Sequence, residues 1–278
     1  SQVHNYQGDW NRAQQLLLQA LPMARNSGDM DALGWVLYGM ADTSLRTGNP
    51  EDVQGYAEEA LEMARKTTNR YLERMGLNRL GTAYVELGQF SEAIITYQEL
   101  LALAHGASDQ HTTLIALINL GQVFWYAHDI QASTNYTKQA MSLAENQDIP
   151  YMISAVNLAR NYALSGEVAQ ARPMIITALE RAQKINALAW TVGVIGWAGI
   201  VQVAEGDIAG GLALVGFACA SPHFAIDSRR ELLSDVGLLP LSHLSQEQID
   251  AMMKDGENLD MDQLIRELLS TPDETKPV

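Results

Sequence analysis

Short turn motifs recur along this chain of 278 residues at a nearly fixed interval of about 40 residues, which lies in the range of repeat architectures. Four of them are written TGNP, LGQF, SGEV and EGDI, with Gly48, Gly88, Gly166 and Gly206 at the turn, and the position between the second and third holds His128. Each motif separates two stretches with apolar residues at helical spacing. Because glycine takes the left-handed conformation that ends many helices, the spacing predicts a series of helical hairpins.

Small residues recur in register with these turns. Seven positions before each turn lie Ala41, Gly81, Gly121, Ala159 and Gly199. Four or five positions after successive turns lie Ala13, Ala93, Ala132, Ala171 and Gly211. A glycine inside a helix costs about 1 kcal/mol relative to alanine. We therefore expect these positions to be where the two helices of a hairpin pack closely.

The pattern of a small residue in the first helix, a Gly-polar turn and an alanine-rich second helix resembles the tetratricopeptide repeat family. The segments LNRLGTAYVELGQFSEAIITYQELLALA and INLGQVFWYAHDIQASTNYTKQAMSLA carry it most fully. The usual period of the family is about 34 residues, so the longer interval implies longer helices, as in kinesin light chain. The resemblance implies an all-α fold: a right-handed superhelical α-solenoid of about five to six hairpins over residues 1–220.

The start of the chain is predicted to hold an incomplete repeat. Gly8, in QGDW, precedes Gly48 by the same interval and would close a first helix. Only the last part of that helix would be present, and the rest would precede Ser1.

After about Ser221 the repeat pattern stops. The stretches DSRRELLSDVG, SQEQIDAMMKDG and DMDQLIRELLS predict three short capping helices over residues 221–270. Ser245 with Gln248, and Asp260 with Gln263, have the spacing of a capping box, which marks helix starts. We expect residues 271–278 to be a disordered tail.

Charge and cysteine content exclude several function classes. The net charge of -15 argues against binding to nucleic acid or anionic lipid, because both require clustered Lys and Arg. Cys219 is the single cysteine, which favours a reducing compartment such as the cytoplasm. The uncharged stretch from Ala187 to Ala204 approaches the length of a membrane span, yet it lies in register with the repeats and contains Gln202. We interpret it as a solenoid helix and expect no membrane insertion.

Catalytic and metal-binding motifs are not found in the sequence. The six histidines lack the paired spacing of a metal-binding helix, and DGENLDMD does not follow the ligand order of a calcium loop. Phosphate-binding loops and nucleophile elbows are also not found. We therefore predict no enzyme activity and no cofactor.

Function is then expected from the surface, and a solenoid of this family offers a concave groove lined by the first helices of its repeats. Asn119 and Asn157 occupy the position where tetratricopeptide proteins often place an asparagine that holds a peptide backbone, and Arg79 occupies it in the third repeat. The alternative is that these side chains are only solvated surface. The predicted partner-binding positions are Asn78, Arg79, Thr82, Asn119, Gln122, Trp125, Asn157 and Arg160, with Tyr38, Asp42 and Trp197 on the same face.

Two interpretations of function remain open. The chain also resembles the C-terminal repeat arm of multidomain bacterial ATP-dependent regulators of the LuxR and NB-ARC type, which implies a regulatory or sensor arm of a larger signalling or transcription-regulating protein. The alternative is a free-standing scaffold or adaptor. In both cases the expected partner is a protein or peptide, or another domain of the same parent protein.

Overall fold

The computed structural model describes residues 2–270, and within them the side chains of all but residues 2–9, 11, 47 and 50. All secondary structure in this range is helical, which confirms the predicted fold class. The predicted tail, residues 271–278, lies outside the described residues. The helices are α1 (Gln2–Ser27), α2 (Met30–Thr47), α3 (Pro50–Lys66), α4 (Arg70–Glu86), α5 (Phe90–Gly106), α6 (Gln110–Tyr126), α7 (Ile130–Leu143), α8 (Asp148–Leu164), α9 (Val168–Lys184), α10 (Leu188–Ala204), α11 (Ile208–Ala220), α12 (Ile226–Val236), α13 (Gln246–Gly256) and α14 (Met261–Ser270).

The chain divides into two compact units between Asp129 and Ile130. In the first unit, helices α1 to α6 each pack against the next, and α2, α4 and α6 also meet one another in order. In the second unit, α7 to α11 pack in the same sequential way, α12 and α13 pack on α11, and α14 packs on α9.

Residues with a left-handed backbone conformation end most helices, and along most of the chain they recur at half the interval of the sequence motifs. Most helices between them have 17 residues, so one helix and one short turn make half a repeat. The connection from α7 to α8 differs, because Gln147 before α8 is extended and no left-handed residue lies between His128 and Gly166. The turns at Gly48, Gly88, Gly166 and Gly206, and that at His128 with φ of 60°, were predicted. The turns at Gly28, Thr68, Ser108 and Asn186 were not. The left-handed residues are Gly28, Gly48, Thr68, Gly88, Ser108, His128, Gly166, Asn186 and Gly206.

One hydrogen-bond arrangement closes these turns. At Gly88 the backbone N–H donates to the carbonyl of Val85 at 3.0 Å, and the N–H of Gln89 donates to the carbonyl of Tyr84 at 2.8 Å. The same pair of bonds surrounds Thr68 and His128. These bonds satisfy carbonyls at the end of one helix, so the next helix can begin almost at once.

Gly8 does not end a helix. Helix α1 runs without interruption from Gln2 to Ser27, and the first left-handed residue is Gly28. The predicted turn at Gly8 and the short first helix were therefore wrong. The physical reason is that a helix tolerates an internal glycine for about 1 kcal/mol, so a glycine at the right interval is not by itself a turn.

The predicted small positions lie at close helix contacts. A Cβ built on Gly81 of α4 would lie 2.6 Å from Cε1 of Tyr97 of α5. A Cβ on Gly199 of α10 would clash with the backbone carbonyl of Gly211 of α11. Ala159 of α8 is fully buried. The repeat thus places a small residue where the two helices of a hairpin approach most closely.

The C-terminal segment forms three short helices, as predicted. The Ser245 hydroxyl accepts the N–H of Gln248, whose side chain accepts the N–H of Ser245, which confirms that capping box. Helices α11 and α13 cross in backbone contact, because a Cβ on Gly216 would clash with the carbonyl of Met253. Gly256 meets Ala213 in the same way.

The uncharged stretch around α10 is a helix of the second unit, with most of its side chains buried. Among the described residues, no helix is both long enough and apolar enough to cross a membrane.

Candidate functional site

Helices α2, α4 and α6 form a continuous face in the first unit, tied together by bonds between side chains of neighbouring helices. These helices carry most of the positions predicted to contact a partner. We call this surface the A-helix face of the first unit and define it by Trp35, Tyr38, Asp42, Tyr71, Arg74, Asn78, Arg79 and Asn119.

An amide pair lies at the centre of this face. The Nδ2 of Asn119 on α6 donates to the Oδ1 of Asn78 on α4 at 3.0 Å. Both side chains are partly exposed. Each retains one polar atom that no described residue bonds: the Nδ2 donor of Asn78 and the Oδ1 acceptor of Asn119. A peptide unit presents one carbonyl acceptor and one N–H donor, which is the complement of this pair.

Arg79 ties α4 to α2. Its Nη2 lies 2.8 Å from Oδ1 of Asp42, and its guanidinium carbon lies 5.9 Å from the ring centroid of Tyr38. The prediction that Arg79 lies on this face agrees with its position. Asp42 also pairs with Arg46, whose Nε lies 3.3 Å from its Oδ2, so one carboxylate is shared by two guanidinium groups.

A group of aromatic side chains lies on α2 and α4. The rings of Trp35 and Tyr71 are 5.9 Å apart, and that of Tyr38 is 6.0 Å from Trp35 in an edge-on arrangement. Trp35 is 37% exposed and Tyr71 55%. Sequence reasoning missed Trp35 and Tyr71, although Trp35 lies two helical turns before Asp42 and hence on the same helix face. The group offers flat apolar surface on two of the helices that form this face.

Arg74 lies over the ring of Tyr71 at this end of the face. Its guanidinium carbon lies 5.9 Å from the ring centroid of Tyr71, and its Nε lies 3.3 Å from Oδ2 of Asp109. Asp109 accepts the hydroxyl and the backbone N–H of Thr112, and these bonds, with Arg74, hold the pKa of Asp109 below its usual value. Asp109 is therefore an ionised helix cap and the partner of Arg74.

Three other predicted positions have internal contacts. The Thr82 hydroxyl bonds the carbonyl of Asn78 at 2.9 Å and the hydroxyl of Tyr97 at 3.2 Å. Burial raises the pKa of Tyr97 to about 12. Gln122 donates to the hydroxyl of Tyr126 at 3.1 Å. Trp125 is buried, so the structure does not agree with its predicted exposure to a partner.

In the second unit, Arg160 of α8 is bonded within the chain. It is 1% exposed, and its Nη1 lies 2.6 Å from Glu231 and 3.5 Å from Asp235, both on α12. The prediction that Arg160 faces an external partner was therefore wrong. The physical reason is that α12, 71 residues away in the sequence, lies against this position. Asn157, on the same helix, is partly exposed.

Asp235 is the centre of this cluster. Its Oδ2 accepts the indole N–H of Trp197 of α10 at 3.0 Å. Burial raises the pKa of Asp235 to about 6, Arg160 and Trp197 oppose this rise, and Glu231 adds to it. Glu231 and Asp235 were not among the predicted residues. Their spacing of four in RRELLSD places both carboxylates on one helix face.

Metal binding and thiol reactivity find no support among the described residues. Among the residues whose side chains the structure describes, no three His, Cys, Asp or Glu side chains lie together in a way that could hold a metal ion. Cys219 is partly buried, and this burial raises the pKa of its thiol. A raised thiol pKa disfavours the reactive thiolate.

Several solved structures share this fold at low sequence identity. BtubC of P. vanneervenii is 17% identical, with a TM-score of 0.63 over 82% of this chain and 92% of that one. A Rap protein in complex with competence and sporulation factor is 13% identical, with a TM-score of 0.68 over 96% of this chain and 74% of that one. At this level of identity the likeness shows the fold.

A third similar structure is a signal transduction ATPase with numerous domains and a tetratricopeptide repeat sensor, from Pyrococcus horikoshii. It is 14% identical, with a TM-score of 0.65 over 91% of this chain. This chain spans 43% of its length.

No curated protein sequence matches the chain. The tetratricopeptide repeat sequence profile matches residues 1–66 and 73–146. These ranges include nearly all of α2 to α6 and thus most of the A-helix face of the first unit. The paired helices, the small residues at their closest contacts and this match agree, and the chain belongs to the tetratricopeptide repeat family.

Proposed function

We propose that this chain is a non-catalytic module that binds an extended peptide segment of a protein partner on the A-helix face of the first unit. The observation that carries the proposal is the hydrogen bond between Asn119 and Asn78, two partly exposed side chains on neighbouring helices that keep one donor and one acceptor for a ligand.

The amide pair suits a backbone ligand. An extended peptide has carbonyl and N–H groups that lose their bonds to water on binding, and each needs a replacement. Because Asn78 and Asn119 already bond to each other, their outward groups are held in place before the ligand arrives. Preorganisation of this kind reduces the entropy lost on binding.

The aromatic group supplies the apolar part of the site. Trp35 and Tyr71 present exposed rings on the same face as the amides. Burial of an aromatic surface contributes roughly 25 cal/mol per Å². Asp109 is paired with Arg74, and Asp42 is shared by Arg79 and Arg46, so both carboxylates of the face are already engaged within the chain. We therefore expect a ligand with a bulky apolar residue near a backbone unit that the amides hold.

The similar structures support a role in protein binding. The Rap protein was solved with competence and sporulation factor, and the Pyrococcus ATPase carries its repeats as a sensor. The second of these supports the finer proposal that the chain is a regulatory arm of a larger signalling protein, located in the cytoplasm. The alternative is a free-standing scaffold that uses the same face.

The experiment is a selection from a displayed peptide library, followed by measured affinities of the selected peptides. The variant Asn78→Ala with Asn119→Ala should weaken their binding at least tenfold, since each lost bond to a buried ligand costs about 1 to 3 kcal/mol. Asn146→Ala, at an exposed position of the second unit, is the matched control.

Two further measurements locate the contact on the peptide and on the chain. Methylation of single backbone nitrogens of the peptide should abolish binding at the unit held by the amides. Asn157→Ala tests whether the second unit contributes. Equal affinities for the wild-type chain and the Asn78, Asn119 variant, or a selection that yields no binding peptide, would contradict the proposal.

A further inference from the structure

Helix α12 packs on α10, and its carboxylates reach Arg160 of α8. Arg160 of α8 and Trp197 of α10 lie at face positions of their helices, and Asp235 of α12 is bonded to both. Glu231 adds a second carboxylate to Arg160 at 2.6 Å. Thus the polar groups on this face are engaged by an acidic helix of the same chain.

The face is also shaped to receive this segment. A Cβ on Gly196 of α10 would lie 2.7 Å from Cδ2 of Leu232, and one on Gly193 would lie 3.3 Å from Cε2 of Phe224. Phe224 stands edge-on to Trp197, with ring centroids 5.9 Å apart. Leu232 is fully buried. Two glycines therefore leave a recess that Leu232 and Phe224 fill.

Helix α12 has the form of a tethered ligand. It buries the side that carries Leu232 and Asp235, whereas Ile226 is 71% exposed and Leu233 42%. Non-helical segments, residues 221–225 and 237–245, connect it to α11 and α13. Helices α11 and α13 are in direct backbone contact with each other, so their contact does not pass through α12.

We infer that the face of α8 and α10 is a docking site for an acidic helix, that α12 is its resident occupant, and that a partner helix with two carboxylates four residues apart and a leucine between them displaces α12. The inference concerns the second unit and does not rest on the peptide site proposed for the first.

Charge gives the site its selectivity. Arg160 is 1% exposed. An occupant without carboxylates would bury its guanidinium without the negative charges that Glu231 and Asp235 supply. A buried pair of this kind adds little net stability, but breaking it is strongly unfavourable. The site therefore discriminates against neutral helices. A tethered ligand acts at an effective concentration in the millimolar range, so an external helix competes best when the anchors of α12 are weakened.

The first test uses a fluorescent peptide with the sequence of residues 221–240 as the probe. The receptor is the full chain with Glu231→Gln and Leu232→Ala, which weaken the resident helix and leave α8 and α10 unchanged. We expect this receptor to bind the probe at least tenfold more tightly than the wild-type chain does. A peptide of the same length with Glu231→Gln and Asp235→Asn should bind at least tenfold more weakly than the acidic probe. Failure of the receptor to bind the probe, or equal binding of the two peptides, would overturn the inference.

The second test needs no variant. Hydrogen exchange of the wild-type chain should show the amides of α12 exchanging at least tenfold faster than those of α10 and α11, because α12 opens without global unfolding. If the amides of α12 exchange only as fast as those of α10 and α11, α12 is a permanent part of the core and the inference is wrong.

Discussion

Gly81 and Tyr97 are in contact at the centre of the hairpin formed by α4 and α5. A Cβ on Gly81 would lie 2.6 Å from Cε1 and 2.7 Å from Cζ of Tyr97. Tyr97 is almost fully buried and its hydroxyl is bonded to Thr82, so the ring has little freedom to move. The absence of a side chain at Gly81 is what lets the two helices approach.

Replacement of Gly81 by alanine should therefore destabilise the protein, although alanine is the better helix former. We expect the free energy of unfolding to fall by about 1 to 3 kcal/mol, because the added methyl group overpacks the contact. Leucine should cost at least as much. The measurement is chemical denaturation followed by circular dichroism.

Gly55 of α3 provides the matched control. No atom lies within 4 Å of the Cβ that alanine would add there, and the position is exposed. Gly55→Ala should stabilise the chain by up to about 1 kcal/mol through helix propensity alone. Similar changes for both variants would show that Gly81 is not a packing position.

Thr68 occupies a left-handed turn position, with φ of 54°, where the equivalent turn of the preceding repeat has Gly28. This conformation costs a residue with a side chain about 1 to 2 kcal/mol, and glycine avoids that cost but loses more backbone entropy on folding. Thr68→Gly should therefore stabilise the chain by about 0.5 to 1 kcal/mol, the balance of these two effects.

Gly88→Ala is the reciprocal test of the turns. Gly88 has φ of 71° and open space around a Cβ, so its replacement isolates the backbone effect and should destabilise the chain by about 1 kcal/mol. Melting temperatures of the two variants measure the effect. A lower melting temperature for Thr68→Gly would contradict this account of the turns.

The repeat architecture could be predicted because its turns and close contacts leave residue types in the sequence. Gly48, Gly88, Gly166 and Gly206 mark turns between the two helices of a repeat, and Gly81 and Gly199 mark the contacts within hairpins. The shorter interval between His128 and Gly166 also has a structural cause. Helix α7 has 14 residues, whereas α5 and α9 have 17.

The intervening turns could not be predicted from glycine alone. Thr68, Ser108 and Asn186 adopt the left-handed conformation because the packed helices on both sides require it. Two of these turns have a weaker sequence signal. Asn69 follows Thr68 and Asp109 follows Ser108, and each caps the next helix with its side chain. Gly8 is the opposite case, because this glycine has the spacing of a turn but lies inside helix α1.

The candidate sites could be predicted from the sequence only where the repeat register alone places their residues on one helix face. Asn78 and Asn119 follow from the repeat register. Their mutual bond depends on the approach of α4 and α6, which the register implies. The partner of Arg160 could not be predicted, because Glu231 and Asp235 lie outside the repeats and reach it through tertiary packing.

The crossing of α11 and α13 at Gly216 and Gly256 should be intolerant of any side chain. A Cβ on Gly216 would clash with the backbone of Met253, and one on Gly256 with that of Ala213, so one helix must move. Gly216→Ala should cost about 3 kcal/mol and speed hydrogen exchange throughout α13. Gly106→Ala, with open space around its Cβ, is the control. Unchanged exchange in α13 would show that the crossing is not needed to hold it.

The contribution of Asp235 to the stability of the second unit should grow as the pH falls from about 7.5 to about 5. Burial raises the pKa of Asp235 to about 6 from an ordinary value of 3.8. The folded chain therefore binds this proton more tightly than the unfolded chain does. The resulting stabilisation is complete below the unfolded pKa and is lost as the pH rises through about 6.

Asp235→Asn isolates this effect because it keeps the shape of the side chain and an oxygen that can accept the indole N–H of Trp197. Between about pH 7.5 and 5, the wild-type chain should gain about 1 to 3 kcal/mol relative to the variant, since each unit of pKa shift corresponds to about 1.4 kcal/mol. Arg160 and Glu231, which also face this carboxyl, are unchanged in the comparison. The measurement is urea unfolding at several pH values, followed by Trp fluorescence. Parallel stability curves for the two proteins would mean that Asp235 titrates as an ordinary exposed carboxylate, and hence that α12 does not bury it in solution.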